Sequence, residues 1–240
     1  MAVSVCMATY NGSAYVYEQL QSIMHQLRPE DELVVVDDAS TDNTISIIEQ
    51  FRDCRIKILR NKRNLGHVRT FERCLTQVTN EIIMFSDQDD IWTDDHVGKL
   101  LKEFAGSSGP RLVYGDFAEF SDQNGLGIRK YLPDFPKSPI KRIDFFRLLI
   151  SGKSRMFGCC VALNRELLDK VMPIPARASS HDLWIGYLAV LKADIRLVDQ
   201  VITHRRIHTA NITQSRRKLW KIFKERAYFI SLMVYRLILR

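Results

Sequence analysis

Three carboxylates fall within four residues at Asp87-Gln88-Asp89-Asp90, directly after the apolar run Ile82-Ile83-Met84-Phe85-Ser86. Like charges this close cost several kcal/mol in a low-dielectric pocket unless something cationic offsets them. An Asp-X-Asp unit at a strand's carboxyl end can hold a divalent metal that carries a diphosphate. The competing reading is a solvated acidic turn that caps the next helix. A second pair, Asp37-Asp38, follows the apolar Leu33-Val34-Val35-Val36. A carboxylate there can accept from a base imide or a ribose hydroxyl, while Ser40, Thr41 or Asp42 can cap the following helix.

The elements that must position these groups alternate regularly through the first half of the 240 residues. Val3–Met7, Glu32–Val36, Ile56–Leu59 and Glu81–Phe85 read as strands. Tyr15–Leu27, Thr44–Phe51 and Val68–Val78 read as helices. This βαβαβαβ order with short connections predicts a doubly wound, Rossmann-like, mostly parallel sheet. Such sheets bind ligands beyond the carboxyl ends of their strands. Polar groups gather at all four of those ends: Thr9-Tyr10-Asn11-Gly12, Asp37 to Asp42, Asn61 to Gly66 and Asp87 to Asp90. The second half is less regular. Arg111–Tyr114 and Cys159–Leu163 are expected strands, and Asp182–Leu191 an expected helix. Residues 121–142, with Pro133, Pro136 and Pro139, read as a long loop region.

Charge is unevenly placed within the net +7. Residues 204–240 hold ten Lys/Arg and one acid, Glu225, leaving 25 bases and 27 acids in the preceding 203 residues. A near-neutral body with a basic, aromatic tail points to an anionic surface touched by the tail, and away from nucleic acid. Arg216 to Lys224 and the mostly apolar Ala227 to Leu239 predict a basic amphipathic helix on an anionic membrane surface. The alternative is a helix packed on the core or on a second copy in a homodimer. Five irregularly spaced cysteines and no Cys-X-X-Cys suggest neither disulfides nor a zinc site, and a reducing cytosol. The N-terminus enters a strand at once and lacks the pattern of a signal peptide. The expected location is therefore cytoplasmic, peripheral at the inner face of the cell membrane.

Taken in order, Ala8-Thr9-Tyr10-Asn11-Gly12, Val36 to Asp42, Asn64-Leu65-Gly66 and Ser86-Asp87-Gln88-Asp89-Asp90-Ile91-Trp92 resemble the landmarks of glycosyltransferase family 2. The resemblance runs from about Val3 to about Thr213. It implies a GT-A fold over 1–213, with 214–240 as the basic C-terminal helix. It also implies inverting sugar transfer from a nucleotide-diphosphate sugar with Mn²⁺ or Mg²⁺. The Gln between the carboxylates and the following Asp-Ile-Trp resemble bacterial polysaccharide glycosyltransferases, many of them described as rhamnosyltransferases. The implied acceptor is a saccharide or a polyprenyl-diphosphate-linked sugar.

The family's roles carry over residue by residue. Thr9 and Tyr10 would line the base pocket, Asp38 would bind the base edge with Asp37 beside it, and Asn64 and Gly66 would belong to the donor loop. Asp87 would touch the ribose or the sugar, Asp89 would ligate the metal, and Asp90 would support that shell. Many members carry an arginine where Phe71 stands, and Arg69 is the nearest substitute. Ser180-His181-Asp182 resembles the Glu-Asp or His-Asp motif, with Asp182 as general base and His181 in support. Arg206-Ile207-His208 resembles an element whose histidine completes the metal shell. Two other classes compete. A nucleotidyltransferase would follow its first strand with a Gly-rich basic phosphate loop, which Ala8 to Gly12 is not. A non-catalytic nucleotide-sugar-binding module would be expected to lose Asp87, Asp89 or Asp182.

Overall fold

A computed structural model describes residues 1–106, 108–121, 129–130, 138, 140–208 and 219–238. The predicted alternation is present as β1 (Val3–Thr9), α1 (Val16–Met24), β2 (Glu32–Asp37), α2 (Thr44–Glu49), β3 (Ile56–Arg60), α3 (His67–Leu75) and β4 (Ile82–Ser86). β1 pairs in parallel with β2 and β4, and β2 with β3. Covered on both faces, β2 and β4 read as continuous apolar runs, as buried parallel strands do. Period-two alternation divides β1 between two layers. Val3, Val5 and Met7 pack with Val16, Leu20 and Ile23 of α1, and Cys6 packs with Phe71 and Cys74 of α3.

The second half adds β5 (Ile91–Trp92), α4 (His96–Lys102), β6 (Arg111–Phe120), β7 (Arg129–Lys130), α5 (Arg142–Ser151), β8 (Val161–Asn164), α6 (Arg165–Val171), α7 (His181–Lys192), β9 (Asp194–Arg206) and α8 (Leu219–Ile238). The sheet runs β3-β2-β1-β4-β8-β6-β9-β5, with β7 on β6. β8 lies antiparallel to both β4 and β6, so β6 again points the way β4 does, and β9 pairs in parallel with β6. The sheet is thus parallel through its first four strands and mixed beyond them.

Three expectations need adjustment. Cys159 and Cys160 sit in a 3₁₀ turn, Gly158–Cys160, and the strand starts at Val161. α5 forms at the end of the region read as loop. β9 had no counterpart in the sequence reading. Its alternation breaks at Asp199-Gln200, where the pairing with β6 jumps from Gly115–Val198 to Asp116–Val201. Such an irregularity hides a strand's period.

α8 is docked on the body, in line with the alternative of a helix packed on the core. Phe229 and Met233, one turn apart, are buried on α7, with the Phe229 ring 5.1 Å from that of Tyr187. Arg236 lies over Trp184 and donates to the carbonyls of Lys170 and Pro173. Lys224, Val234 and Tyr235 face outward. The basic run Arg216-Arg217-Lys218 lies outside the described residues, among which no helix is long and apolar enough to cross a membrane.

Candidate active site

The topology brings one end of seven elements together. β1, β2, β3, β4, β6 and β9 all finish on the same edge. Antiparallel β8 begins there, which places the Gly158–Cys160 turn beside the end of β4. The first turn of α7 joins them: the His181 ring lies 5.2 Å from that of Phe85, near the end of β4.

The Asp87–Asp90 turn is held from β9. The Arg206 main-chain N–H donates to Asp90 Oδ1 at 3.1 Å and its Nε to the Asp89 carbonyl at 3.0 Å. The same guanidinium pairs with Glu18 of α1 and lies over the rings of Tyr15 and Phe120. Two residues on, His208 Nε2 meets Asp89 Oδ2 at 2.7 Å, and its ring stacks on Tyr15 at 4.6 Å. Asp89 and His208 are therefore adjacent, although 119 positions apart. Residues 209–213, the rest of that sequence element, lie outside the described residues.

Asp90 Oδ2 is sealed from solvent and makes no close hydrogen bond among the described residues, with the Cys159 thiol as its polar neighbour. Burial and the neighbouring Asp89 charge push Asp90 up to about 7. Burial, then the charges of Asp90, Asp89 and Asp182, push Asp87 well above the carboxylate range. Carboxyl oxygens of Asp87 and Asp90 lie within 4.8 Å of each other and of Cys159 Sγ. Such a cluster is electrostatically incomplete, and a hard divalent cation fits it. Of the expected ligands, Asp89 and His208 pair with each other, while Asp87 and Asp90 offer oxygens close enough to share one cation.

The carboxylates after β2 are committed to the protein. Buried Asp37 accepts from the Thr9 hydroxyl (3.1 Å), the Ser40 N–H (2.9 Å) and the Ser40 hydroxyl (2.5 Å). Arg60 Nε stands 3.6 Å away. Asp38 accepts from Asn61 Nδ2 (2.7 Å) and from the N–H groups of Leu65 and Gly66 (2.8 Å each). Asp37 thereby ties buried Thr9 of β1 to the turn after β2. Asp38 is the fastener of the Asn64-Leu65-Gly66 loop, where Gly66 takes a φ of 85°. Tyr10 stays exposed on the rim. Arg69 points elsewhere: it pairs with Glu72 and donates to the Ile174 carbonyl at 3.2 Å, so it staples α3 to the segment before α7. The substitute role suggested for it has no geometric support.

Asp182 opens α7. The bonds on its carboxylate fall on Oδ1, from the Leu183 N–H at 2.8 Å and from the Ser180 hydroxyl. His181 makes no bond to it. Instead the imidazole is buried against Phe71, ring centroids 4.0 Å apart, with Phe85 at 5.2 Å. Neither ring nitrogen has a partner among the described residues, and burial lowers the ring to about 4, so it stays neutral. Gly158 makes room for it, since a Cβ there would come within 2.8 Å of Nε2. His181 supports the site by packing. Arg206, Cys159, Gln88 and Gly158 were not singled out as functional from sequence. Arg206 and Gln88 stood inside quoted motifs; Gly158 and Cys159 open the segment Gly158–Arg165, which resembles the family's strand before the helix that carries the base.

The family model "Glycosyl transferase family 2" matches residues 4–172. Over 238 residues the chain is 26% identical to the putative teichuronic acid biosynthesis glycosyltransferase TuaG of Bacillus subtilis, covering 93% of this chain and 87% of TuaG. It is 27% identical to the UDP-Glc:alpha-D-GlcNAc-diphosphoundecaprenol beta-1,3-glucosyltransferase WfgD of Escherichia coli, covering 78% of this chain and 69% of WfgD. It spans 66% of an uncharacterized Nostoc glycosyltransferase, so some curated relatives run substantially longer. Among solved structures, S. aureus TarS residues 1–349 in complex with UDP-GlcNAc superposes with a TM-score of 0.75 at 20% identity. That match covers all of this chain and 67% of the TarS chain, and it shows the fold to be that of TarS. The ordered motifs, the convergent carboxylates and the family match over more than half the residues agree: the chain belongs to glycosyltransferase family 2.

Proposed function

We propose that this chain is an inverting, metal-dependent glycosyltransferase of bacterial cell-surface polysaccharide synthesis. It would move a sugar from a nucleotide-diphosphate donor to a saccharide or polyprenyl-diphosphate-linked acceptor. One observation carries the reading: Asp87 and Asp90 crowd their carboxyl oxygens at the end of β4, and the His181 ring beside Asp182, from a distant part of the chain, packs on Phe85 of that strand. WfgD is named for a diphosphoundecaprenol-linked acceptor and TarS was solved with UDP-GlcNAc, which supports both substrate classes.

The donor's nucleoside end belongs at the rim formed by Tyr10 and the Asn64–Gly66 loop, and its diphosphate beside Asp87, Asp89 and Asp90. A divalent cation bound there would supply Lewis-acid stabilisation of the departing diphosphate. Asp182 is the base. Its Oδ1 is anchored by Leu183 and Ser180, which leaves the other oxygen to take the acceptor hydroxyl's proton. The acceptor oxygen then attacks the anomeric carbon as the bond to the diphosphate breaks, and the configuration inverts. The neutral His181 ring, wedged between Phe71 and Gly158, seats the first turn of α7 and with it Asp182.

The deciding experiment incubates the protein with UDP-, dTDP- and GDP-sugars, Mn²⁺ or Mg²⁺ and a lipid-linked acceptor. Acceptor-dependent release of nucleoside diphosphate is expected. Release of pyrophosphate would instead mark a nucleotidyltransferase, and binding without turnover a non-catalytic module. A peripheral membrane contact through α8 is a second proposal. It is favoured by the exposed Lys224, Val234 and Tyr235, which lie off the docked face, and by the basic run that precedes the helix in sequence.

A further inference from the structure

Gln88, between the two carboxylates of the Asp-X-Asp unit, faces the loop that leaves β1. Its Oε1 accepts from the Tyr10 N–H at 2.8 Å, and its Nε2 donates to the Tyr10 carbonyl at 3.1 Å. The two bonds fix which way the amide is turned, because only one orientation satisfies both. The amide occupies the space in front of Gly12. A Cβ there would overlap Oε1 and come within 2.5 Å of Cδ. Gly12 does not take a positive φ, so what its missing Cβ provides here is room for the Gln88 amide and not backbone freedom.

The rest of this loop is tied to the opposite side. The Asn11 N–H donates to the Ser40 hydroxyl (2.9 Å), the Gly12 N–H to the Thr44 hydroxyl (2.8 Å) and the Ser13 N–H to Asp42 (3.0 Å). Three successive amides thus bind the loop after β2 and the first residue of α2, and the Tyr10 peptide binds the carboxylate turn through Gln88. The loop bridges two walls of the pocket that belong to different strand ends.

We propose that Gln88 is a positioning residue for donor binding. Its amide locks the Tyr10 peptide to the Asp87–Asp90 turn, so that the nucleoside end and the diphosphate end of the pocket hold one spacing. The functional half of this inference rests on the donor pocket proposed above; the lock itself does not. A donor that spans both ends binds best when the distance between them is fixed beforehand, because less freedom is lost on binding. Gly12→Ala should act as Gln88→Ala does, by pushing the amide off Tyr10.

The test has two arms. Without ligand, amide hydrogen exchange is compared in the wild type, Gln88→Ala, Gly12→Ala and the double variant. Tyr10 should exchange about five- to tenfold faster in each single variant, the scale of one net hydrogen bond, and no faster in the double. Exchange at Asn11, Gly12 and Ser13 should hold. Unchanged Tyr10 exchange, or additive effects in the double variant, would overturn the lock. With ligand, calorimetry uses UDP, dTDP and GDP in turn with Mn²⁺. The nucleotide that binds the wild type should bind both single variants about five- to tenfold more weakly, with the donor KM raised and kcat held. Affinity for Mn²⁺ alone should not change. An unaltered nucleotide affinity, or an equal fall in Mn²⁺ affinity, would overturn the positioning role. If the wild type binds none of the three, the donor reading itself fails, and the exchange arm still decides the lock.

Discussion

Replacing Asp182 by asparagine removes a proton acceptor and little else. Asparagine keeps the volume, and its amide oxygen can still accept from the Leu183 N–H, which now reaches Asp182 Oδ1 at 2.8 Å. Ser180 also accepts from Leu183 and caps the same turn, so the helix start is doubly secured. The lost charge at a helix N-terminus is worth about 0.3–1 kcal/mol, and unfolding stability should fall by no more than that. Donor affinity should hold or rise slightly, because Asp182 adds to the negative field at Asp87 that an incoming diphosphate meets. Turnover should fall by roughly 10²–10⁴-fold, the usual range for loss of a general base, which corresponds to ~2.7–5.5 kcal/mol of barrier. The assay pairs calorimetric donor affinity with steady-state release of nucleoside diphosphate at saturating donor. A fall in turnover matched by the same fall in donor affinity would make Asp182 a binding residue. Turnover within a few-fold of wild type would place the base elsewhere.

Asp89→Ala should abolish the gain in donor affinity that Mn²⁺ provides while leaving the melting curve intact; equal metal-dependent affinity in variant and wild type refutes the assignment. His96 supplies a pH test. It is fully buried, stacked on Trp92 at 3.8 Å, with Nδ1 at 2.9 Å from the Ile202 carbonyl, and burial lowers it to about 3. The unfolded chain binds that proton below about pH 6.5, and the fold does not. Stability is therefore full above 6.5 and is lost as pH falls toward 3, by about 2 kcal/mol at pH 5. Denaturant titrations at pH 7 and 5 should show a smaller drop in His96→Leu by that amount; an equal drop would mean another group carries it. Phe229→Ala should destabilise the fold by ~3–5 kcal/mol if α8 is part of the core, against nearly nothing for a free tail. Tyr235→Ala should leave stability unchanged but weaken sedimentation with anionic liposomes if the exposed face meets a membrane; unchanged sedimentation would count against that contact.

The alternation of apolar runs and amphipathic stretches told the first four strands and three helices directly, because each buried strand is short, unbroken and ended by polar residues. The second half resisted for local reasons. β9 hides its period behind Asp199-Gln200, α5 follows a proline-bearing stretch, and the docked face of α8 looks from sequence like the apolar face of a membrane helix. Phe229 and Met233 would serve either environment, and only the neighbouring Tyr187 and Trp184 decide between them.

The site divides the same way. Sequence alone determined which residue types stand at each strand end, since a ligand-binding carboxylate after an apolar strand is a local pattern. It also determined the order of motifs by which the family is known. Tertiary structure decided which protein groups each of those carboxylates meets. Asp37 and Asp38 look alike on paper, yet Asp37 is bonded to Thr9 and Ser40, and Asp38 to Asn61, Leu65 and Gly66 of a different loop. It also decided that β8 runs antiparallel, which sets Gly158 and Cys159 beside the carboxylates, and that β9 returns His208 to Asp89 across 119 positions. The physical reason is range. Strand periods and caps are set by neighbours a few residues away, whereas a carboxylate's partners are set by whichever distant backbone the sheet order delivers to it.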